Sequence, residues 1–204
     1  MKDKPATVFV VDDDAGVRSS IRLLLKSAGI PATPMGSAQE FLAAFDPAQP
    51  GCLVLDIRMP GMSGLELQQE LNRRGAMLPV LFITGHGDVP MAVEAMQHGA
   101  FDFLQKPFRD QDLIDRIQKA LLRDQDDRAA LREHNQIRER LASLTMRERQ
   151  VLDLLTQGKQ NKVMAAELGI SQRTVEIHRS HVMEKLGASS VAQLVRMALD
   201  ATDT

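Results

Sequence analysis

The sequence predicts an α/β fold, a doubly wound five-stranded parallel sheet, followed by a small all-α domain. Three observations carry that prediction. Short, wholly apolar runs alternate with helical patterns through the first 122 residues. Strands this apolar are covered on both faces, as happens in parallel sheets flanked by helices. Beyond residue 143 the strand-like runs stop, and short helical patterns closed by glycine take their place.

Taken in order, strands are expected at 7–11, 32–35, 52–55, 80–84 and 101–104, the second being the weakest. Helical patterns fall at 15–28, 37–45, 64–74, 88–98 and 110–122, which makes five βα units. Residues 123–143, RDQDDRAALREHNQIRERLAS, hold five acidic and five basic residues and neither Pro nor Gly. They read as a solvated linker or as a helix continuing 110–122. The stripe Leu131, Ile137, Leu141 and Leu144 favours the helix. Next, Thr145 and Glu148 fit a capping box ahead of Val151, Leu152 and Leu155, and Gly158 ends that helix. Asn161 is expected to cap a second helix, which Gly169 closes. Ser171 caps a third, with Ile170 and Val175 spaced as a hydrophobic staple, and Gly187 ends it. Ser189 or Ser190 starts the last. The expected organisation is one domain over 1–122, a helical linker over 123–143 and a second domain over 144–204.

A chain of 204 residues has room for two compact units. With 44% apolar and 25% charged residues it has an ordinary globular composition. The formal net charge of −2 gives no sign of a polyanionic partner, but the distribution does. Residues 1–122 carry 12 Lys and Arg against 15 Asp and Glu, whereas residues 144–199 carry 8 against 5. An acidic front and a basic back suggest different partners. Cys52 is the only cysteine, so no intramolecular disulfide can form, and its apolar run CLVL predicts a buried, inert thiol. The N-terminus lacks a signal-peptide core and no apolar run approaches a membrane span, so a cytoplasmic protein is expected.

Ligands of open α/β sheets bind at the carboxyl ends of the strands. Here the first strand runs into Asp12, Asp13 and Asp14; the third ends at Asp56, the fourth at Thr84, and the fifth is followed by Lys106-Pro107. Carboxylates converging on one edge repel each other, and a hard cation such as Mg²⁺ relieves this. Thr84 offers a hydroxyl and Lys106 a point charge for an anion. Together they suit an acyl phosphate on an aspartate. Asp56 is the best nucleophile, because it stands alone at a strand end. For Asp14, capping the next helix is an equal alternative.

These residues resemble the receiver domain of bacterial response regulators, over 5–122. The family's acidic pair matches Asp12 and Asp13, and its phosphorylated aspartate matches Asp56 in VLDIRMPGMSG. Its switch hydroxyl matches Thr84, its lysine Lys106 in LQKPF, and its rotating aromatic Phe103. The run ITGHGDVPMAVEAM is similar to the FixJ branch. The resemblance implies phosphoryl transfer from a sensor histidine kinase, Mg²⁺ held by Asp12, Asp13, Asp56 and the backbone carbonyl of Arg58, and a cis Lys106–Pro107 bond.

Helix, tight glycine turn and helix in NKVMAAELGISQRTVEIHRSHVMEKLG follow the helix-turn-helix plan. In the second of these helices Val175, Val182 and Leu186 share a core face, and Arg173, Glu176, Ile177 and Ser180 share the other. On DNA, Ile177 could touch a thymine methyl, Glu176 could accept from cytosine, and Arg173 could reach phosphate or guanine. Thr174, Arg179 and Lys185 are candidates for phosphate. The alternative for Ile177 is packing on a neighbouring domain. His178 and His181 lack a third metal ligand. The stretch 140–200 resembles the LuxR/NarL-type DNA-binding domain, whose third helix enters the major groove and whose fourth helps dimerise. Here Val191, Leu194, Val195 and Ala198 on the fourth are equally suited to a core.

The expected protein is a FixJ/NarL-type transcription regulator and not an enzyme. Its implied partners are a sensor kinase, promoter DNA, RNA polymerase and, once phosphorylated, a second copy. A phosphatase using Asp56 is the enzymatic rival, but the second aspartate such enzymes place two residues on is Arg58 here. The other rival, a DNA-binding protein with a vestigial receiver, sits poorly with the complete acidic set.

Overall fold

The computed structural model describes residues 4–85 and 89–200, the side chains of Val89 and Asp200 excepted. The chain divides into two compact units, residues 1–128 and 129–204.

In the first unit, β1 (Thr7–Val11), β2 (Ala32–Met35), β3 (Gly51–Asp56), β4 (Val80–Thr84) and β5 (Asp102–Gln105) form one sheet in the order β2-β1-β3-β4-β5. Every neighbouring pair is parallel. Between the strands run α1 (Ala15–Ser27), α2 (Ala38–Ala44), α3 (Gly64–Arg73) and α4 (Val89–Gln97), and α5 (Asp110–Ala142) follows β5. Successive side chains of a strand point to opposite faces, so the apolar runs build two cores. Phe9, Val11, Leu53, Leu55 and Phe82 pack against Phe41, Leu67 and Leu71 on one face. Val8, Val10, Cys52, Val54, Leu81 and Ile83 pack against Ile21, Leu25, Leu113 and Ile117 on the other. Burial pushes the Cys52 thiol up to about 12, which keeps it protonated and inert.

Pairing sets the strand ends more sharply than the apolar runs do. β3 extends one residue further at each end than 52–55, and Asp56, its last residue, stands opposite Ile83. β5 lies one residue later than 101–104, with Thr84 opposite Gln105. Residue 88, expected to open the fourth helix, lies outside the described residues.

The charged stretch after 122 is helical and not merely solvated. Asp124 is buried, accepts from the Gly51 N–H at 2.9 Å and pairs with Arg128 at 2.8 Å. Arg128 also donates to the carbonyls of Pro47 and Gln49 at 3.0 and 2.9 Å. These bonds fix α5 to the start of β3. Of the expected stripe, Leu141 is buried in the second unit's core with Ile137 and Leu144 beside it, while Leu131 is exposed.

The second unit continues with α6 (Met146–Thr156), α7 (Asn161–Leu168), α8 (Gln172–Leu186) and α9 (Val191–Asp200). The Thr145–Glu148 capping box is present in both directions. Gly169 closes α7 at φ 66°, a left-handed turn that a residue with a Cβ adopts only under strain. Ser171 caps α8, accepting from the Thr174 N–H. Of the two serines before α9, Ser190 receives the Gln193 N–H at 3.1 Å. Asn161 is not the cap of α7. Gln160 holds that position without a side-chain bond, and Asn161 is the first helical residue with its amide turned to α8.

Glu148 accepts from the Thr145 N–H at 2.8 Å and from Lys185 at 2.7 Å. Lys185, a candidate for phosphate, forms an ion pair that ties α6 to α8. The Lys185 ammonium, then the Thr145 N–H, hold the Glu148 carboxyl at about 2.

Two predictions follow from these buried carboxylates. A carboxyl depressed in the folded state stabilises above its unfolded value of 4.5 and loses that stability as pH falls toward 2. Urea unfolding of the second unit in the full chain should therefore weaken through that window, and Glu148→Gln should flatten the dependence. Asp124→Ala leaves Arg128 without its buried carboxylate and should cost the first unit about 3 kcal/mol in denaturant unfolding.

Candidate functional site

The carboxyl ends of β1, β3 and β5 bring one ammonium between two carboxylates. Lys106 Nζ lies 2.8 Å from Asp12 Oδ2 and 2.8 Å from Asp56 Oδ1. Asp12 is 2% exposed and Asp56 9%. The second oxygen of each accepts a backbone N–H: Asp14 N donates to Asp12 at 2.8 Å, and Arg58 N donates to Asp56 at 2.7 Å. Burial raises the Asp56 pKa, with the Lys106 bond and charge opposing it. For Lys106 burial works downward, but its bonds to Asp12 and Asp56 prevail and the pKa rises. The three groups form a hydrogen-bonded cluster around the Lys106 ammonium.

The neighbouring acids have different places. Asp14 caps α1, accepting from Gly16 N at 2.7 Å and Val17 N at 3.2 Å. Asp13 is exposed. Among the described residues no three metal-ligating side chains converge. The donor chemistry nevertheless fits a hard cation, since Asp12 and Asp56 already share one positive charge, that of Lys106.

Thr84 and Phe103 are not drawn to Asp56. The buried Thr84 hydroxyl donates to the Gly85 carbonyl at 3.1 Å, and Phe103 points outward, 40% exposed. The Lys106 N–H donates to the Thr84 carbonyl at 2.7 Å, which ties the ends of β4 and β5, and the Lys106–Pro107 bond is cis.

Two supporting residues escaped the sequence reading. A Cβ on Gly64 would stand 2.2 Å from the Asp56 carbonyl, so α3 can start this close to the site only with glycine there. Gln68, buried on α3, donates to the carbonyls of Ala95 and His98 at 3.1 and 3.3 Å and holds the C-terminal end of α4. Around α4 and β5, Met96 is exposed, Met91 is half-buried, Ala100 is core, and the Val89 side chain lies outside the described residues. Val93 and Phe103 are exposed as well.

On α8, Val175, Val182 and Leu186 are fully buried. Arg173, Glu176, Ile177 and Ser180 are exposed, Ile177 by 49%. Thr174 shares its hydroxyl with Ser171 Oγ at 2.8 Å. Arg179 donates to Asn161 Oδ1. On α9, Leu194 is core, Val195 and Ala198 are half-buried, and Val191 is exposed.

Residues 8–118 match the family described as response regulator receiver domain, and residues 142–198 match bacterial regulatory proteins of the luxR family. The chain is 50% identical over 192 residues to the transcriptional regulatory protein FixJ of Azorhizobium caulinodans, spanning 94% of this chain and 91% of that one. It is 45% identical over 194 residues to FixJ of Bradyrhizobium diazoefficiens, spanning 95% of each. Among solved structures it is similar to the response regulator StyR, with a TM-score of 0.87 and 48% identity over 96% of this chain and 98% of that chain. Full-length FixJ from B. japonicum gives 0.61 and 43% over 98% and 99%. With a receiver domain followed by a LuxR-type DNA-binding domain, the chain belongs to the FixJ/NarL family of two-component response regulators, which act in transcription.

Proposed function

We propose that Asp56 is the phosphoacceptor, that its phosphorylation promotes dimerisation, and that α8 then reads promoter DNA in the cytoplasm. The carrying observation is the Lys106 ammonium at 2.8 Å from Asp56 and Asp12. A carboxylate held at a strand end beside a fixed cation is suited to attack a phosphoryl group. As the bond from the Asp56 oxygen to phosphorus forms, the bond to the histidine nitrogen of a sensor kinase breaks, and that nitrogen keeps the electron pair. Lys106 is placed to neutralise a phosphoryl oxygen. Asp12, Asp13, Asp56 and the carbonyl of Arg58 would hold Mg²⁺. Bound there, the ion supplies positive charge to the transferred oxygens. The chain acts as acceptor and regulator, and its acyl phosphate is a signal rather than an intermediate of turnover.

A phosphoryl group on Asp56 offers new acceptors to Thr84. Turning the Thr84 hydroxyl from the Gly85 carbonyl toward them frees space that Phe103 fills, which repacks the surface beside Val93 and Met96. The exposed row Arg173, Glu176, Ile177 and Ser180 supports α8 as the groove-facing helix, with Thr174 at its capped start. Lys185 is left out of this interface because Glu148 holds it. RNA polymerase is the further partner such a regulator requires.

Asp56→Asn should abolish labelling by acetyl phosphate, and label retained at the wild-type level would refute the assignment. Asp13→Ala should keep labelling but raise the Mg²⁺ concentration needed for half-maximal incorporation. Sedimentation with beryllium fluoride, an acyl-phosphate mimic, should convert monomer to dimer, and Val93→Glu should block that conversion. A dimer of equal strength with and without the mimic would remove this face from the switch.

A further inference from the structure

An asparagine at a helix cap spends its side chain on the free N–H groups of its helix. Asn161, the first helical residue after the Gln160 cap, spends its amide on α8 instead. Its Oδ1 accepts from Arg179 Nη1, and its Nδ2 lies 3.5 Å from Glu176 Oε1. Glu176 and Arg179 are three residues apart on α8, close enough to pair directly. The amide stands between them instead, its acceptor toward the guanidinium and its donor toward the carboxylate. Beside them an open groove is lined by Glu176, Arg179, Ser180, Met183 and Val191.

A glutamate on a groove-facing helix meets two obstacles. Its side chain loses rotamer freedom when it settles on a base, and its charge is repelled by the phosphates. Asn161 acts on both. One amide donor narrows the directions open to the Glu176 carboxylate before DNA arrives, which is preorganisation. The same amide keeps the Arg179 charge beside that carboxylate. Glu176 retains its second oxygen, and a base amino group is the donor it suits, from cytosine N4 or adenine N6.

We infer that Asn161 is a positioning residue for DNA sequence recognition, which orients Glu176 and Arg179 so that Glu176 presents its carboxylate to a base amino group. This rests on the reading of α8 as the groove-facing helix. The chemistry is specific to an amide. Aspartate would keep the acceptor for Arg179 but set a second negative charge against Glu176. Serine offers a shorter hydroxyl that cannot span both partners.

The test is selection of bound sites from a randomised duplex pool by the full chain carrying beryllium fluoride, with wild type, Glu176→Ala, Asn161→Ala, Asn161→Asp and Asn161→Ser. Glu176→Ala should relax preference at one or two base pairs. Asn161→Ala and Asn161→Ser should relax the same base pairs, by roughly tenfold in discrimination, and leave the others intact. Asn161→Asp should relax them at least as far. Adding Asn161→Ala to Glu176→Ala should cause no further loss there. Thermal unfolding of each variant separates this from a folding defect, which would weaken all positions together, and the milder serine change keeps the test open if alanine unfolds the unit. If Glu176→Ala leaves the selected sites unchanged, the groove-facing reading of α8 fails. If Glu176→Ala relaxes them and the folded Asn161 variants do not, Asn161 has no part in recognition and the inference is overturned.

Discussion

The shared ammonium of Lys106 is the interaction on which the receiver half depends. Asp12 follows β1, Asp56 ends the neighbouring β3, and both are buried, so their charges would repel strongly in a medium of low dielectric. Lys106 reaches both because the Lys106 N–H anchors on the Thr84 carbonyl, at the end of the strand that pairs with β3. Each carboxylate spends its other oxygen on a backbone N–H, so both oxygens of each are hydrogen-bonded before any ligand arrives. The glycine that opens α3 belongs to the same arrangement. It lets the helix pass the Asp56 carbonyl without displacing the strand end.

The second unit repeats the device in a structural role. Glu148 is buried, receives an N–H from its own capping box, and takes its ammonium from Lys185 two helices away. In the first unit, Asp124 does likewise with the Gly51 N–H and Arg128. Removing one member of such a pair costs more than the pair contributes, because the remaining group stays buried without it. What separates Asp56 from Asp124 and Glu148 is position. Asp56 stands at the carboxyl edge of the sheet, where a ligand can approach.

Much of this was legible in the sequence, because each feature rested on a local rule. Apolar runs with helical spacing between them gave the sheet, glycine marked the helix ends, and Thr145 with Glu148 gave the capping box. Asp12, Asp56 and Lys106 were found because they end strands, and strand ends converge in this fold. What the sequence hid depended on partners distant along the chain. Lys185 looked like a free cation until α6 brought Glu148 to it, 37 residues away in sequence. Asn161 looked like a cap until α8 offered it Arg179. Asp12, Asp13 and Asp14 look alike in a row, yet one is buried on Lys106, one faces solvent and one caps α1. Strand alternation and the turn into the helix separate them, and no property of the aspartates does.

In the proposed switch, the positions of Thr84 and Phe103 set what a phosphoryl group on Asp56 would have to accomplish. The Thr84 hydroxyl already has a partner in the Gly85 carbonyl, so turning it inward exchanges one neutral hydrogen bond for one to an anion, and charge-assisted bonds are the stronger kind. Phe103 is half in water, and moving it inward removes apolar surface from solvent. Both changes favour the inward state. Without phosphate, however, an inward Thr84 would meet the Asp56 carboxylate already held by Lys106 and Arg58 N–H, and it would leave the Gly85 carbonyl unpaired. A ligand shifts such an equilibrium only by its differential interaction with the two states. On the proposed reading, phosphoryl oxygens on Asp56 would provide that difference, because they would give Thr84 an acceptor that exists in one state alone. Gln68, on the carbonyls of Ala95 and His98, holds the far end of α4 to α3, so the proposed repacking would fall on the exposed side where Val93, Met96 and Phe103 stand.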